Sequence, residues 1–474
     1  MKKKFFPSVE RIGGPYEKGI VVPLASECSY RDPLEVYKRF YGNGPTVFLD
    51  SAKFHPKTAT HYFICSNPFY QFKFQGGDEP LEVLRHLFSK WRGNRWSELP
   101  HFTGGAVGFL SYDLSRFLQP VRIKDHYEND LPKIFLLFVR DLLVFDHQRK
   151  TMCMVTNLLP DRDGSFGEAY EGARRRIDEV RRKIQASWHE TPNGHLKVKR
   201  FRSESSREGF EEMVLKAKAY IRAGDIYQAN LSQQFSFVLK SNPLKIYERL
   251  RAINPSPFSS FIDFGDIKII SCSPERLIRL RGRNCETRPI AGTKPAGKNL
   301  LETKKFSAEL LLSEKERAEH LMLLDLERND LGRVCEYASV RVNEMMVLEK
   351  YSHVIHIVSN FVGKLSKEKD RFDLLQAVFP GGTITGCPKI RCMEIIDELE
   401  PFRRGLYTGS IGYLDFNGDM DWNIVIRTLM VKGKKGILRV GAGIVHDSIP
   451  AKEYEETLHK AEALLEALGV TNGK

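Results

Sequence analysis

The sequence predicts an α+β fold, and three observations support this prediction. Residues 20 to 160 alternate short apolar runs with turn residues, as the strands of an antiparallel-rich sheet do. From residue 206 onward, strand and helix patterns follow one another without the regular alternation of a doubly wound parallel sheet. The chain of 474 residues is 42% hydrophobic and 28% charged, which is typical of a soluble globular protein with a large core.

The first region of the chain covers residues 1–190. A charge-rich helix is expected there from about Gly167 to Ser187. Residues 104–112 form a glycine-rich segment that fits either a loop or a strand in which two backbones approach closely. Residues 191–205 are polar and rich in helix breakers, which predicts a linker to the second region. The predicted strands of the first region are residues 45–50, 62–65, 134–139, 142–145 and 152–155.

The second region covers residues 206–470. Ser206 precedes a helical run that Gly224 closes, and residues 225–235 then predict a strand. Farther on, a glycine turn at residues 381–386 leads into an amphipathic helix, with Pro388 expected at the first helical position. Backbone N–H groups at such a turn suit a carboxylate or a phosphate. An ordinary strand-to-helix turn is the simpler explanation of the glycines alone, and the turn lacks the Gly-Lys-Ser/Thr ending of a P-loop.

Composition and charge narrow the classes of function. The N-terminus lacks the apolar run of a signal peptide, and no stretch is as long as a membrane span, so a cytoplasmic protein without a membrane partner is expected. Eight cysteines without a CxxC pair are expected to be reduced packing residues. The formal net charge of +13 admits a nucleic-acid partner. The basic residues form no aromatic-interleaved patch, however, and a small anionic substrate explains the charge equally well, so no nucleic acid is expected.

Two Glu-x-x-Glu pairs lie on predicted helices. Glu316 and Glu319 share one face of a helix that Ser313 begins, and Glu453 and Glu456 share a face near the C-terminus. A capping residue and a solvated flank are the structural explanations of these pairs. Two facing pairs would instead supply the hard oxygen ligands that Mg²⁺ prefers.

Two further residues are candidates for chemistry. His356 lies on the apolar side of a predicted strand, as a core histidine or as a general acid or base. Arg427 ends an apolar run from Met420, which suits either a salt bridge or a bidentate grip on a carboxylate. Gly443 belongs to a Gly-Ala-Gly segment that offers another turn with backbone donors.

These segments together resemble the chorismate-utilising enzyme family, in particular the large subunits of anthranilate synthase and aminodeoxychorismate synthase. The similarity covers nearly all of residues 206–468 and extends into the first region through FLDSA and GGAVGFLSYD. In the second region the similar segments are RPIAGTKPAG, ERAEHLMLLDLERNDLGRV, EKYSHVIHIVSN, FPGGTITGCPKIR, RRGLYTGSIGY, NIVIRT, GAGIV and EYEETLHKA.

The resemblance implies an anthranilate synthase component I-like fold, with antiparallel sheets packed face to face and helices outside. It implies that residues 206–470 form the chorismate-binding catalytic domain and that residues 1–190 are an N-terminal region of the same family type. It also implies an Mg²⁺-dependent amination of chorismate. Because the chain has no Gly-x-Cys-x-Gly nucleophile turn, the ammonia would come from a separate glutaminase subunit.

The resemblance also assigns roles by position. Glu319 and Glu456 would hold Mg²⁺, with Glu316 and Glu453 acting through water. His356 would be the general acid for loss of the C4 hydroxyl. The remaining residues that the resemblance places in the pocket are Tyr407, Arg427 and Gly443 at the enolpyruvyl carboxylate, together with Thr293, Thr383, Lys460 and Ala291.

Four segments are more similar to aminodeoxychorismate synthases than to anthranilate synthases: residues 224–235, 379–383, 407–412 and 423–428. Ala291 points the other way, because many aminodeoxychorismate synthases have a lysine there that adds covalently to C2. FLDSA departs from the LLES of the tryptophan feedback site, so tryptophan inhibition is not implied. The expected activity is that of aminodeoxychorismate synthase component I, with anthranilate synthase component I as the alternative. Isochorismate and salicylate synthases match these segments less well.

Overall fold

The computed structural model describes residues 5–52, 57–58, 60–77, 79–122, 130–186, 196–295, 297, 299–350 and 354–470. These residues form 23 strands and twelve α-helices, with two short 3₁₀ turns at Tyr112–Leu114 and Gly382–Ile384.

The strands are β1 Phe5–Phe6, β2 Val22–Ser29, β3 Thr46–Asp50, β4 His61–Ser66, β5 Tyr70–Phe74, β6 Gly105–Leu110, β7 Ile134–Val139, β8 Asp141–Asp146, β9 Thr151–Leu158, β10 Val198–Ser203, β11 Gln228–Leu239, β12 Phe258–Asp263, β13 Ile267–Ser273, β14 Arg276–Arg281, β15 Asn284–Arg288, β16 Ile290–Pro295, β17 Arg341–Lys350, β18 Val354–Lys364, β19 Gly386–Cys387, β20 Ser410–Asp415, β21 Met420–Asn423, β22 Thr428–Lys432 and β23 Lys435–Ile444.

The helices are α1 Val9–Glu17, α2 Pro33–Lys38, α3 Pro80–Lys90, α4 Ser115–Leu118, α5 Phe166–Gln185, α6 Arg207–Ala223, α7 Pro243–Ile253, α8 Leu300–Leu312, α9 Glu314–Gly332, α10 Arg371–Val378, α11 Lys389–Leu399 and α12 Pro450–Leu468.

The strands form two large sheets, which we call sheet I and sheet II. Sheet I has 13 strands in the order β1-β2-β9-β8-β4-β3-β12-β13-β22-β23-β11-β10, with β19 also paired to β11. Sheet II has ten strands in the order β16-β18-β15-β14-β21-β20-β6-β7-β5, with β17 also paired to β18. The pairings between these strands are antiparallel, which confirms the predicted α+β class with antiparallel sheets.

Both sheets contain strands from the two regions of the chain. In sheet I, β3 pairs with β12, and in sheet II, β6 pairs with β20. The two regions of the chain therefore share one hydrophobic interior. Val198–Ser203, within the predicted linker, forms the edge strand of sheet I, whereas residues 187–195 lie outside the described part of the chain.

The apolar core lies in three layers. The middle layer packs Val47 and Ile269 of sheet I against Phe109 and Ile411 of sheet II, so the two sheets meet face to face. On the outer face of sheet I, α5, α7 and α12 pack over residues such as Phe261. On the outer face of sheet II, α3 and α10 cover side chains that include the fully buried Trp422 in β21. This arrangement confirms the prediction of face-to-face sheets with helices outside.

Local sequence signals place several elements correctly. Ser206 caps α6 by accepting a hydrogen bond from the Gly209 N–H, and Gly224 ends the helix with a φ of +83°. The undecided glycine-rich segment is a strand, β6. Its Gly108 lies against β7, because a Cβ there would stand 2.0 Å from the Phe135 carbonyl oxygen.

Two local predictions are wrong. Pro388 is the N-cap residue of α11, one position before the helix begins, and its peptide bond with Cys387 is cis. The apolar run that ends at Arg427 is not one strand. Its first part, β21, belongs to sheet II, and after a crossing at residues 424–427 the chain enters sheet I as β22. Arg427 lies at this crossing with a φ of +51°, a conformation that apolar periodicity does not reveal.

We expect Gly108→Ala to lower the free energy of unfolding by about 2 kcal/mol or more, because the new methyl group would overlap the Phe135 carbonyl and separate β6 from β7. Gly167→Ala in α5 is the matched control. A Cβ there meets no atom within 4 Å, so the variant should be unchanged or up to about 1 kcal/mol more stable. Urea unfolding measures both. Equal stabilities of the two variants would contradict the close approach.

Candidate active site

Several of the site residues predicted from the sequence lie near His356. It lies on β18, in register with the Thr293 backbone of β16, and its side chain is buried. Its Nδ1 lies 3.4 Å from the carbonyl oxygen of Gly292. Burial lowers the pKa of His356 to about 3, with further lowering from the positive charges of Arg427 and Lys460. The imidazole is therefore neutral at pH 7.

The first glutamate pair approaches this histidine from α9. Ser313 caps the helix and accepts a hydrogen bond of 3.3 Å from the Glu316 N–H, as the sequence predicts. The Glu316 Oε2 lies 2.7 Å from the position that a Cβ on Gly292 would take. Gly292 has a φ of +64° and is the same residue whose carbonyl faces His356. The first turns of α9, which also carry Glu319, thus lie beside the histidine strand.

The second glutamate pair approaches from α12. Glu453 is 7% exposed and lies on the buried side of the helix, not on a solvated flank. Glu456 forms an ion pair of 2.8 Å with Lys460, whose ammonium also donates to the Gly441 carbonyl at 3.0 Å. The Lys460 charge also lowers the pKa of His356, so a residue of α12 acts on the imidazole that lies beside α9.

Tyr407 and the Gly441–Gly443 segment form another wall. The Tyr407 hydroxyl oxygen lies 2.7 Å from the position of a Cβ on Gly441, and the Gln228 Nε2 lies 2.6 Å from that of a Cβ on Gly443. Any side chain at either glycine would displace these polar groups, which explains the glycines. Burial raises the pKa of Tyr407 to about 12, so its phenol is a hydrogen-bond donor at neutral pH.

The glycine turn at residues 381–386 is closely packed. A Cβ on Gly382 would stand 2.3 Å from Leu326 Cδ2, and one on Gly386, whose φ is +135°, would stand 2.0 Å from the Gln228 carbonyl oxygen. Close packing therefore requires these glycines, and the turn ends three residues before α11 begins. That the backbone N–H groups of this turn bind an anion stays a prediction. Thr383 lies in this turn, half-buried.

Glu275 is a site residue that the sequence analysis missed. It is buried between β13 and β14, and its Oε1 accepts a hydrogen bond of 3.2 Å from the N–H of Ile290, next to the buried Ala291. Burial raises its pKa to about 7, against the hydrogen bonds of Ile290 and Thr383 and the charges of Arg427 and Lys460. A buried carboxyl group half-protonated at neutral pH, within reach of the charges of Arg427 and Lys460, is a candidate acid or base.

Gln228 and Asn230 were also missed. Among the described residues, their side-chain oxygens are buried without a hydrogen-bond partner, although both lie beside the Gly441–Gly443 segment. A buried acceptor without a donor is costly, so these oxygens suit a bound donor group. The signal in the sequence was the alternation of Gln228 and Asn230 with apolar residues along a strand, which places both on one face.

The donor set suits Mg²⁺. All four glutamates offer carboxylate oxygens. The Glu316 carboxylate lies beside Gly292, that of Glu456 pairs with Lys460, and Glu453 is buried. In the described part of the chain, no three His, Cys, Asp or Glu side chains stand close enough together to hold a metal ion. Mg²⁺ is commonly held by one or two carboxylates, with water and substrate completing its shell, so a preformed cage is not required.

Comparison with known proteins identifies the family of the chain. A family model described as chorismate binding enzyme matches residues 45–466. The chain therefore belongs to the chorismate-binding enzyme family, whose members use chorismate.

Two groups of relatives are similar over most of their length. Anthranilate synthase component 1 of Acetivibrio thermocellus is 39% identical, over 98% of both chains. Aminodeoxychorismate synthase component 1 of Bacillus subtilis is 44% identical, over 83% of both chains. The family assignment is shared by both, whereas the two names differ in product.

Solved structures confirm the fold. Anthranilate synthase component I of Streptococcus pneumoniae superimposes with a TM-score of 0.74 at 35% identity, covering 87% of this chain and 93% of that one. The menaquinone-specific isochorismate synthase of Escherichia coli has a TM-score of 0.73 at 18% identity, covering 98% and 99%, and supports the fold alone. Separately, none of the helices in the described residues has the length and apolar composition to cross a membrane.

We expect Glu275→Gln to change how stability depends on pH. The folded protein binds the Glu275 proton more tightly than the unfolded chain, so this group contributes stability below about pH 4.5 that is lost as the pH rises through about 7. Glutamine removes the titration. The free energy of unfolding of the wild type relative to the variant should fall by about 2–3 kcal/mol between pH 5 and pH 8 in urea titrations. A pH-independent difference would contradict the raised pKa.

Proposed function

We propose that this chain aminates chorismate to 4-amino-4-deoxychorismate, the activity of aminodeoxychorismate synthase component I, with Mg²⁺ as cofactor and ammonia from a separate glutaminase subunit. The observation that carries the proposal is the charge of the site. Arg427 and Lys460 act on both His356 and Glu275, while burial keeps the histidine neutral and raises the pKa of the glutamate to about 7. Two cationic side chains that act on these buried acid–base groups suit the carboxylates of a ligand such as chorismate.

The choice of product rests on sequence similarity. The relative named as an aminodeoxychorismate synthase is 44% identical, against 39% for the first anthranilate synthase, although over a smaller share of the chain. The segments at residues 224–235, 379–383, 407–412 and 423–428 favour the same product.

The residues of this chain would divide the work as follows. Tyr407 donates its phenolic hydrogen to the enolpyruvyl carboxylate, Arg427 supplies positive charge, and the Gly443 N–H adds a backbone donor. Thr293, Thr383 and Lys460 complete the pocket. Glu319 and Glu456 would hold Mg²⁺ directly, with Glu316 and Glu453 through water, and the bound ion would act as a Lewis acid at the ring carboxylate and the C4 hydroxyl.

Proton transfer to the departing C4 hydroxyl has two candidate donors. His356, the predicted general acid, is neutral in the free protein because burial and the positive charges of Arg427 and Lys460 lower its pKa. A bound dicarboxylate would oppose the effect of those charges and raise that pKa. Glu275, with a pKa of about 7, already carries the proton in about half of the molecules at neutral pH. We assign it a share in this proton transfer.

Anthranilate synthase component I is the second candidate. Ala291 favours it, because this buried alanine next to Glu275 offers no amine for a covalent route through C2. Free ammonia would then have to be the nucleophile for either product.

Product analysis tests the proposal. The purified chain, incubated with chorismate, Mg²⁺ and ammonium, should yield a product that keeps the enolpyruvyl group and is converted to para-aminobenzoate by an added lyase. Chromatography with mass detection measures it. Anthranilate with pyruvate would replace this proposal with the second candidate. Isochorismate formed without ammonium would contradict both.

We expect Glu319→Gln and Glu456→Gln to lower Mg²⁺-dependent turnover by about 100-fold or more, because each removes a carboxylate from the donor set. The matched control is Glu455→Gln on α12, whose carboxylate pairs with Arg207 at 3.1 Å and is 47% exposed. The control should keep the wild-type rate. Mg²⁺ titrations of activity, with circular dichroism to verify folding, measure the effect. Rates within about threefold of wild type in either glutamine variant would refute the metal assignment.

A further inference from the structure

A buried cluster of charges lies directly behind Tyr407. It consists of Glu400, at the end of α11, with Arg404 and Arg439, and we call it the Glu400 cluster. All three side chains are at most 3% exposed. Arg404 donates to both oxygens of Glu400, at 3.1 and 2.8 Å, and Arg439 donates to Oε2 at 2.9 Å. Ser232 adds its N–H and its hydroxyl to Oε1, both at 2.8 Å.

Stability alone does not account for this cluster. Burying an ion is costly, and replacing a buried ion pair with apolar side chains is often neutral or stabilising. Two guanidinium groups also share one carboxylate here. Burial opposes ionisation of Glu400, but the two arginines and Ser232 lower its pKa below the ordinary value, so the carboxylate is charged. The cluster therefore has a net charge of +1 in the interior.

Arg404 connects three backbone segments that form the walls of the candidate active site. Its Nη1 donates to the Ile384 carbonyl at 2.8 Å, in the turn that holds Thr383. Its Nη2 donates to the Asn230 carbonyl of β11. Its Nη1 also donates to the Thr408 hydroxyl at 3.2 Å, and that hydroxyl in turn donates to the Tyr407 carbonyl at 2.6 Å.

The cluster also contacts the Tyr407 ring. The guanidinium carbon of Arg404 lies 5.7 Å from the ring centroid, and that of Arg439 lies 6.0 Å from it. The Thr408 backbone, directly after this tyrosine, has a φ of +61°, a strained conformation that needs support from its surroundings. The hydrogen bond from Arg404 to the Thr408 hydroxyl and the one from that hydroxyl to the Tyr407 carbonyl supply such support. The direction of the phenol over Gly441 therefore depends on the Glu400 cluster.

We propose that the Glu400 cluster positions Tyr407 and the neighbouring turn for binding of a substrate carboxylate, and that its net positive charge strengthens that binding. The inference rests on the proposed function, in which Tyr407 grips the enolpyruvyl carboxylate of chorismate. Arg404, Arg439 and Glu400 are positioning residues, because each acts through Tyr407 or the backbone around it.

Arg404→Lys is the decisive variant. Lysine keeps the charge, but a single ammonium cannot reach Glu400, Ile384, Asn230 and Thr408 together. We expect the KM for chorismate to rise at least 10-fold, with kcat within threefold and the KM for ammonium unchanged. The Kd for chorismate, measured by equilibrium dialysis without Mg²⁺ or ammonium, should rise by a similar factor. Arg439→Lys should give a smaller rise, since Arg439 makes no bond to the turn at Ile384 or to Thr408.

Arg391→Lys is the matched control, because Arg391 lies on the outside of α11 and pairs with Glu394 at 3.1 Å. It should leave all these constants unchanged. A folded Arg404→Lys protein with wild-type KM and Kd, or one that loses only kcat, would overturn the inference. If Arg404→Lys does not fold, an unchanged KM in Arg439→Lys overturns it equally. If the wild type makes anthranilate, the proposed product is refuted. The KM and Kd of the Arg404→Lys variant would then still test the role of the Glu400 cluster.

Discussion

The hydrogen bonds that β3 makes to β12 and β6 makes to β20 are the constraint on which the rest of the structure depends. Each joins a strand from the first third of the chain to one from the second region, one pair in each sheet. The middle layer of the core closes only when both pairs form, because it consists of side chains from the two sheets. Close approach at Gly108 and Gly412 lets β6 and β20 fit between their neighbours. The site is assembled at the same time, since its walls come from both sheets and from the crossing between them.

Burial affects the protonation of histidine, glutamate and arginine side chains at the site differently. It lowers the pKa of His356 to about 3 and raises that of Glu275 to about 7, so that an imidazole and a carboxyl group both move towards their neutral forms. An arginine cannot respond in this way, because its guanidinium stays protonated. Arg427 and the arginines of the Glu400 cluster therefore keep their positive charge. The same burial thus favours a neutral imidazole and a protonated carboxyl group while leaving cations that can attract a carboxylate.

Much of the fold could be predicted from local patterns. Ser206 and Gly224 mark the ends of α6 because capping depends on only a few neighbouring residues. Ser313 was predicted for the same reason. Arg427 was not placed correctly, because hydrophobicity is the same on both sides of a crossing between two buried sheets. Pro388 was misplaced by one residue, since the position of a cap depends on backbone geometry as well as on residue type.

Site residues could be predicted where their spacing in the sequence places them on one face of a helix or strand. They could not be predicted where their role depends on tertiary contacts. The Glu-x-x-Glu pairs share a helix face by periodicity, and His356 alternates with apolar residues along β18. Glu275 has no such pattern, because its environment comes from Ile290 and Thr383, which are distant in sequence. The sequence left open whether Glu453 lies on a solvated flank, for a related reason. Only the packing of α12 against sheet I shows that this face is buried.

Positive charges have different effects at the surface of the protein and in its interior. Part of the positive charge that admits a nucleic-acid partner has local acidic partners: Arg174 pairs with Glu171, Arg181 with Asp178 and Arg202 with Glu204. Such pairs near the surface contribute little stability, and their carboxylates interrupt the positive electrostatic potential. Inside the protein, by contrast, Arg404 and Arg439 share a single carboxylate where water cannot screen the excess. The net positive charge of the Glu400 cluster therefore lies behind Tyr407 with little screening, which favours a small dicarboxylate as the ligand of this site.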